Sequence, residues 1–314
     1  MLNITRGPRL RALGVVLYGP EGIGKTTLAS QFPNPIFIDL ENGSDTMDVA
    51  RTDTPKSFND VLNLMTLVQT EDEFQTVDEF QTVVIDTVDK LEQLITAHVL
   101  EEHHLKSIED AGYGKGYTFM AEEMVRFLRK CGDLIDAGKN VVIVAHAAMR
   151  KFEQPDEMGA YDRWELKLSK KCAPLVKEWA DMVLFLNYKT TIVTDEKTKS
   201  KKAIGGKRIM YTTHAPTWDA KNRFGLDEIL PMDFDSIKQC FQDKPVSALA
   251  DFYAEIRSKL NDAEVSEDSL INFLHQKDAK LRADAVSLET LPGFYLKFVK
   301  ENIDKIINKL TQED

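Results

Sequence analysis

A phosphate-binding loop stands out near the start of the chain. Its eight residues from Gly19 to Thr26 follow the spacing G-x-x-x-x-G-K-[ST]. Glycines let such a loop wrap closely around a polyphosphate, and its backbone N–H groups point at the phosphate oxygens. Lys25 can reach the β- and γ-phosphates, and the Thr26 hydroxyl can ligate Mg²⁺. We therefore expect the chain to bind a nucleoside triphosphate through Gly19, Pro20, Glu21, Gly22, Ile23, Gly24, Lys25, Thr26 and Thr27.

Acidic residues after two apolar runs complete the predicted reaction centre. Asp86 ends the apolar run 83–86 and is the candidate for a second Mg²⁺ ligand beside Thr26. Asp39 and Glu41 follow another apolar run, and ligands of open α/β sheets gather at the carboxyl ends of the strands. Glu41 lies one step beyond that strand, so it is our candidate for the residue that activates the attacking water. The alternatives are a strand-terminating aspartate at Asp86 and a helix-capping or solvated acid at Glu41.

These residues need a scaffold of short buried strands separated by helices. Such alternation predicts an α/β fold with a mainly parallel sheet that helices cover on both faces. Two later β segments flank a basic loop and are expected to add antiparallel strands at the edge of the sheet. Segments 103–117 and 147–168 are predicted to be irregular. The predicted strands are 14–18, 36–39, 83–86, 141–145, 182–187, 190–194 and 208–213, and the predicted core helices are 27–32, 58–68, 91–100, 120–135 and 170–178.

The helical pattern becomes dominant after about residue 231. Apolar residues near the C-terminus repeat at helical spacing, as in Val299, Ile303, Ile306, Ile307 and Leu310. We therefore predict two domains, a P-loop domain over residues 1–242 and a small helical appendage over residues 243–314.

Composition narrows the function classes. The 314 residues include 40 Lys plus Arg and 51 Asp plus Glu, which gives a net charge of −11. So acidic a chain is not a passive nucleic-acid coat, and any DNA contact must come from local basic patches. The three cysteines form no C-x-x-C pair, which argues against structural zinc or disulfides. The start of the chain lacks a signal peptide and no run of 18 apolar residues occurs, so a cytoplasmic protein without a membrane segment is expected.

Several segments resemble the RecA-like recombinase core in their order along the chain. They read Phe-Ile-Asp-Leu-Glu at 37–41, Val-Ile-Asp-Thr at 84–87 and Val-Ile-Val-Ala-His at 142–146. Farther on, Lys-Asn-Arg-Phe-Gly at 221–225 looks like the corresponding motif of bacterial RadA. The arrangement, which covers roughly residues 10–232, is similar to phage-encoded RecA-core ATPases that act as, or with, single-strand annealing recombinases.

This resemblance implies roles for particular residues. Glu41 would activate water, and His146 would sense the γ-phosphate and relay its loss to a DNA-binding loop. Lys221 and Arg223 would reach the γ-phosphate held by a neighbouring subunit. A structural histidine is the alternative for His146. Local ion pairs with Asp227, Glu228 or another nearby carboxylate are the alternative for Lys221 and Arg223.

The resemblance also implies cofactors and partners. ATP and Mg²⁺ are the expected cofactors, and a homo-oligomeric ring or filament is the expected assembly. Single-stranded DNA and phage recombination or replication proteins are the expected partners, in the cytoplasm of the host. A ring helicase or helicase loader shares the same core and is the near alternative. A nucleotide-dependent interaction module with little hydrolysis is the alternative from another class.

Two basic patches are candidates for contact with DNA. One spans residues 189–208 and the other residues 150–171, and both follow core strands. Solvated loops are the alternative for each patch. The segment Gly114-Lys-Gly116 is a further candidate for a mobile loop that contacts phosphate or DNA. The basic residues of the first patch include Lys189, Lys197, Lys199, Lys201, Lys202, Lys207 and Arg208.

Overall fold

The structure, a computed structural model, describes residues 11–71, 80–153, 159–194, 201–241, 247–277, 281, 285–288, 291 and 293–311. The strands are β1 (Gly14–Gly19), β2 (Pro35–Asp39), β3 (Ala50–Arg51), β4 (Thr82–Asp86), β5 (Asn140–Glu153), β6 (Ala160–Leu166), β7 (Met182–Thr194), β8 (Lys201–Tyr211) and β9 (Ile229–Pro231). The helices are α1 (Lys25–Ala29), α2 (Phe58–Glu71), α3 (Val88–Glu102), α4 (Lys115–Asp136), α5 (Cys172–Trp179), α6 (Ser247–Asp262), α7 (Glu267–Lys277) and α8 (Gly293–Leu310).

The strands form one mixed sheet in the order β3-β2-β4-β5-β1-β7-β8-β9, with β6 paired to the outer part of β5. All neighbours from β3 to β7 along this order are parallel, and β8 and β9 add antiparallel strands. β1 and β4 are buried along their whole length, as expected of central strands with both faces covered. The predicted α/β class, a mainly parallel sheet between helices with antiparallel edge strands, is confirmed.

The register of the sheet brings the predicted site residues to one edge. β5 lies between β1 and β4, so that Gly19 stands opposite His146 and Asp86 stands opposite Val144. On the other side of β4, Asp39 stands opposite Asp86. Because these strands are parallel, their carboxyl ends meet at the same edge, where the P-loop begins.

The prediction of an irregular segment over residues 147–168 is wrong. β5 continues to Glu153 and turns back as β6, with antiparallel pairs from Ala147↔Leu166 to Glu153↔Ala160. The outer part of β5 alternates exposed and partly covered residues, which is the pattern of a strand with one solvated face. Charged residues interrupt this segment, so it contains no apolar run of the kind that marks the central strands.

Two other local predictions also need correction. The predicted strands 182–187 and 190–194 are one continuous strand, β7, and its partner β8 begins at Lys201 and ends at Tyr211. The predicted loop over 103–117 contains a short 3-10 turn, Ile108–Ala111, and the first residues of α4. Gly116 lies in that helix, where an added Cβ would come within 2.1 Å of the Ile108 carbonyl oxygen. Close packing against Ile108 therefore explains why residue 116 is glycine, and a phosphate or DNA contact is not needed to explain it.

The chain divides into two compact units. One comprises Arg11–Met65 and Phe80–Gln242 and contains the sheet, and α6, α7 and α8 belong to the other. These three helices share an apolar core of their own that includes Ile256, Leu270, Leu274, Val299 and Ile303. Among the helices that the structure describes, none combines the length and the apolar character needed to cross a membrane.

A hydrogen-bonded tyrosine ties the strand before the P-loop to the segment after β8. The Tyr18 hydroxyl donates to the carbonyl oxygen of Asp219 at 2.5 Å and accepts from its backbone N–H at 3.0 Å. Tyr18 is fully buried, and burial raises the pKa of its hydroxyl well above the usual value. The side chain of Asp219 accepts further bonds from Arg163 and Lys177. Asp219 therefore links Tyr18 on β1, Arg163 on β6 and Lys177 on α5.

We predict that Tyr18→Phe destabilises the protein, because it leaves two backbone groups of Asp219 without their partner. The expected loss in the free energy of unfolding is about 1–3 kcal/mol, measured by urea denaturation. Tyr113→Phe is the matched control, since the Tyr113 side chain is fully exposed. Equal stability of the two variants would contradict the role given to the Tyr18 hydroxyl.

Candidate functional site

The P-loop and the carboxyl ends of β2, β4 and β5 line one pocket of about 340 Å³. Glycines and threonines of the loop contribute to the lining, together with Gly43, Thr46 and Met47. The structure thus brings together residues that lie as far apart in sequence as 25 and 146. The predicted catalytic and metal-binding residues in this lining are Lys25, Thr26, Glu41, Asp86 and His146.

The P-loop has the backbone that its glycines predict. Gly22 and Gly24 have φ angles of 70° and 101°, in the left-handed region that side chains disfavour. Gly19 meets a different constraint, because an added Cβ would lie 2.4 Å from the carbonyl oxygen of Leu186 on β7. Lys25 is buried, and its Nζ donates to the carbonyl oxygens of Gly19 and Pro20 at 3.1 and 2.9 Å. The ammonium group therefore lies within the curve of the loop.

The two predicted Mg²⁺ ligands are in direct contact. The Thr26 hydroxyl donates to Asp86 Oδ2 at 2.6 Å. A hydroxyl and a carboxylate oxygen are the hard donors that Mg²⁺ prefers, with phosphate oxygens and water completing its shell. The residues present therefore fit this ion.

Charge is concentrated around Lys25 and Asp86. Burial lowers the pKa of Lys25, and the carboxylates of Asp86, Asp89, Glu21 and Glu41 only partly offset this effect. Burial is also the main cause that raises the pKa of Asp86 to about 6, and nearby Asp39 and Glu41 add to it, against the hydrogen bond from Thr26. Such a site favours a bound cation, which stabilises the ionised form of Asp86.

The two acids after β2 have different environments. Asp39 is buried and accepts hydrogen bonds from the backbone N–H groups of Glu41, Gly43 and Ser44 and from the Ser44 hydroxyl. Burial raises its pKa, but these bonds outweigh that effect and hold the pKa below its usual value. Glu41 is exposed and lines the pocket. Asp39 therefore shapes the turn, and Glu41 presents its carboxylate to the site.

His146 is held by an aspartate that the sequence analysis missed. Asp89, in the first turn of α3, accepts from the His146 backbone N–H at 3.0 Å and contacts ring Nδ1 at 2.8 Å. Burial raises the pKa of Asp89, and the two bonds from His146 lower it further than burial raises it. One oxygen of Glu41, one of Asp89 and one ring nitrogen of His146 all lie within 4.8 Å of one another. In the sequence, Asp89 is recognisable only as an acid three residues after Asp86. Its partner His146 lies 57 residues away, so no local pattern links the two.

A comparison with protein families decides the affiliation of this chain. The family model described as an AAA domain matches residues 11–224, more than half of the chain and all of the residues of the site. The chain belongs to the AAA domain family. It is a P-loop ATPase of this type.

Other comparisons are more distant. No curated protein matches the chain significantly. Among solved structures, the chain is similar to the KaiC-like protein PH0186 of the archaeon Pyrococcus horikoshii, with 15% sequence identity and a TM-score of 0.34. That match covers 64% of this chain and 78% of the other.

Lys221 and Arg223 lie away from the pocket of their own subunit. Lys221 pairs with Val183, near the amino end of β7, whereas the P-loop leaves the carboxyl end of β1. The Lys221 Nζ donates to three carbonyl oxygens at the end of α5, those of Lys177, Glu178 and Ala180. Arg223 Nη1 lies 3.5 Å from Asp181 Oδ1, and its side chain is 61% exposed. Their action on a neighbour's phosphate stays a prediction.

Substitutions of Lys25 and Glu41 in this AAA domain protein should separate ATP binding from ATP hydrolysis. We expect Lys25→Ala to abolish ATP binding, because the ammonium group in the loop is lost. Glu41→Gln should keep binding and lower turnover about 10²–10⁴-fold, the usual contribution of a general base. Asp45→Asn is the control, since Asp45 is an exposed acid in the same turn. Normal turnover in Glu41→Gln would remove Glu41 from the reaction.

Proposed function

We propose that this AAA domain protein is an ATPase with a RecA-like core that acts on single-stranded DNA. Its setting would be phage recombination or replication in the cytoplasm of the host cell, as a homo-oligomer with annealing or recombinase partners. The nucleotide site supports the ATPase part of this proposal. A basic hairpin, formed by β7 and β8 and rooted beside that site, supports the DNA part.

The hydrolytic reaction follows from the positions of the side chains. The P-loop and Lys25 bind the phosphate chain, and Glu41 takes the proton of the water that attacks the γ-phosphorus in line. Thr26 and Asp86 would hold Mg²⁺, which would supply positive charge to the phosphate chain. His146, oriented by Asp89 and close to Glu41, senses whether the γ-phosphate is present.

A like-charge pair on the hairpin is the observation that carries the DNA proposal. Lys189 on β7 stands directly opposite Lys207 on β8, and both are exposed. Like charges at opposed positions destabilise a strand pair. Within the described part of the chain, no carboxylate lies at ion-pair distance from either lysine. An anionic ligand along the hairpin would offset this repulsion, and the DNA backbone is such a ligand.

Aromatic side chains cover the same face of the sheet nearer its centre. Phe185 and Tyr211 are opposed four pairs farther along the same hairpin, and Trp218 packs against Tyr211 with ring centroids 4.2 Å apart. Residues two apart on a strand share a face, so the face with Lys189 and Lys207 continues into this aromatic group. Single-strand sites combine positive charge with aromatic rings in this way.

Both arginines of the second basic patch contact carboxylates within the protein. Arg150 lies 3.7 Å from Glu165, and Arg163 pairs with Asp219. The β7–β8 hairpin is therefore the stronger candidate for DNA contact. The basic residues Lys197 and Lys199 of the first patch lie outside the described residues, as do the side chains of Lys201 and Lys202.

Binding of single-stranded DNA tests the proposal. The double variant Lys189→Ala/Lys207→Ala should bind an oligonucleotide more weakly than the wild type. If each lysine neutralises one phosphate, the slope of log affinity against log salt should fall by about 1.4. The double variant Lys56→Ala/Lys305→Ala removes the same charge from two other exposed positions and is the control. Equal losses in both variants would mean that only net charge matters.

Activity assays then separate the remaining functions. ATP hydrolysis stimulated by single-stranded DNA, with annealing of complementary strands, supports the proposed role. Strand separation or loading of a helicase would instead indicate the helicase alternatives. Nucleotide binding without stimulated turnover would indicate an interaction module.

Arg223 gives a test of assembly. It reaches solvent at the edge of the sheet opposite its own P-loop, so a neighbouring subunit is the only triphosphate site that it can serve. An arginine supplied in trans is worth several orders of magnitude in phosphoryl transfer. The resulting proposal is a ring or filament in which each site is completed by the next subunit.

We predict that Arg223→Ala binds ATP but turns over poorly, and that mixing it with Glu41→Gln restores part of the activity. At mixed interfaces an intact arginine meets an intact site, which is roughly a quarter of interfaces in a random equal mixture. Arg11→Ala is the matched control, because Arg11 contacts the same carboxylate, Asp181, at 2.6 Å. Absence of recovery on mixing, with turnover per subunit independent of concentration, would exclude action in trans.

A further inference from the structure

We infer that Arg208 binds the phosphate chain of the nucleotide held by the P-loop of its own subunit. The inference rests on the proposed nucleotide function and adds a residue that no part of the P-loop motif contains. Arg208 lies on β8, 184 residues after Gly24, and belongs to the root of the basic hairpin.

Gly24, the second fixed glycine of the P-loop motif, lies beside Arg208. A Cβ added at Gly24 would lie 3.0 Å from Arg208 Nη1 and 3.4 Å from Met232 Cε. Gly24 comes directly before Lys25 and Thr26, whose roles are fixed by the motif. The guanidinium group of Arg208 therefore lies against the loop itself, beside the glycine that precedes Lys25.

The sheet fixes this position. Leu186 opposes Met210. Two positions farther out, and therefore on the same face of the hairpin, Tyr188 opposes Arg208. Leu186 and Met210 are buried in one core cluster with Ile23 of the P-loop. Because residues two apart on a strand share a face, the face that packs under the P-loop at Met210 continues to Arg208. The strand pairing thus aims this arginine at the loop.

The charge of Arg208 has no acidic partner among the described residues. Several other arginines of this unit contact a carboxylate, as Arg11 and Arg223 do with Asp181 and Arg163 does with Asp219. The Arg208 side chain is exposed and makes no hydrogen bond or ion pair within the described part of the chain. A guanidinium group suits phosphate because its planar N–H donors match two phosphate oxygens at once.

The position indicates which phosphates are bound. Gly24 lines the pocket together with Glu41, Asp86 and His146, and Arg208 lies beside Gly24. The glycine-rich part of a P-loop cradles the α- and β-phosphates. Arg208, which lies on Gly24, is therefore assigned to these two phosphates. It should contribute equally to the binding of a diphosphate and of a triphosphate.

Calorimetric titration without DNA tests the assignment, with ADP and a non-hydrolysable ATP analogue as probes. Arg208→Ala should weaken both about tenfold or more, the loss of a charge-assisted hydrogen bond. Arg208→Lys, which keeps the charge and loses the paired donors, should fall between the wild type and Arg208→Ala. Arg129→Ala is the matched control, because it removes the same charge from an exposed position on α4.

The outcomes separate this inference from the function on which it rests. A wild-type protein that binds neither probe contradicts the nucleotide function itself. Normal binding in the wild type and equal affinity in Arg208→Ala overturn the inference alone. A loss confined to the triphosphate analogue overturns the assignment to the α- and β-phosphates. A loss equal to that of Arg129→Ala also overturns it, because the effect would then be one of net charge. Thermal unfolding of each variant establishes that it is folded.

Discussion

The hydrogen bond between Thr26 and Asp86 is the contact on which the rest of the site depends. It joins the start of α1 to the end of β4, although β1 and β4 are not neighbours in the sheet. β5 fills the space between them, and its register places His146 opposite Gly19. The same insertion lets α3 begin beside His146, where Asp89 accepts both the backbone and the ring hydrogen bonds. A single choice of strand order therefore brings Thr26, Asp86 and His146 to one pocket, with Asp89 hydrogen-bonded to His146.

That arrangement has an electrostatic cost in the protein alone. Asp86 is buried and lies near other acids, and these effects raise its pKa to about 6. For an acid, a raised pKa in the folded state means stability that is present below the unfolded value and lost as pH rises through about 6. At neutral pH the ionised Asp86 therefore works against folding, and a cation bound beside it would offset that cost. Function rather than stability explains why this charge is buried.

The sequence was informative where one local pattern sufficed. The P-loop, the buried strands and the carboxyl-edge acids all follow from short runs of residues, and Lys25, Thr26, Glu41, Asp86 and His146 do meet in one pocket. The β5–β6 hairpin was missed because charged and aromatic residues alternate in it without an apolar run. Asp89 and Arg208 were missed for another reason: their partners lie 57 and 184 residues away, and only strand register brings them close. Spacing along a chain cannot show such contacts.

Strand β7 connects the nucleotide site with the proposed DNA-binding surface. At one point its backbone approaches β1 so closely that Gly19 has no room for a side chain. Two residues farther on, Tyr188 stands opposite Arg208, and the next pair is Lys189 with Lys207. The two faces of the hairpin therefore carry different basic groups, with Arg208 toward the P-loop and the two lysines toward the opposite side. If the proposed contacts form, one strand pair joins both anion sites. An acidic protein would then hold DNA beside its nucleotide without a separate DNA-binding domain.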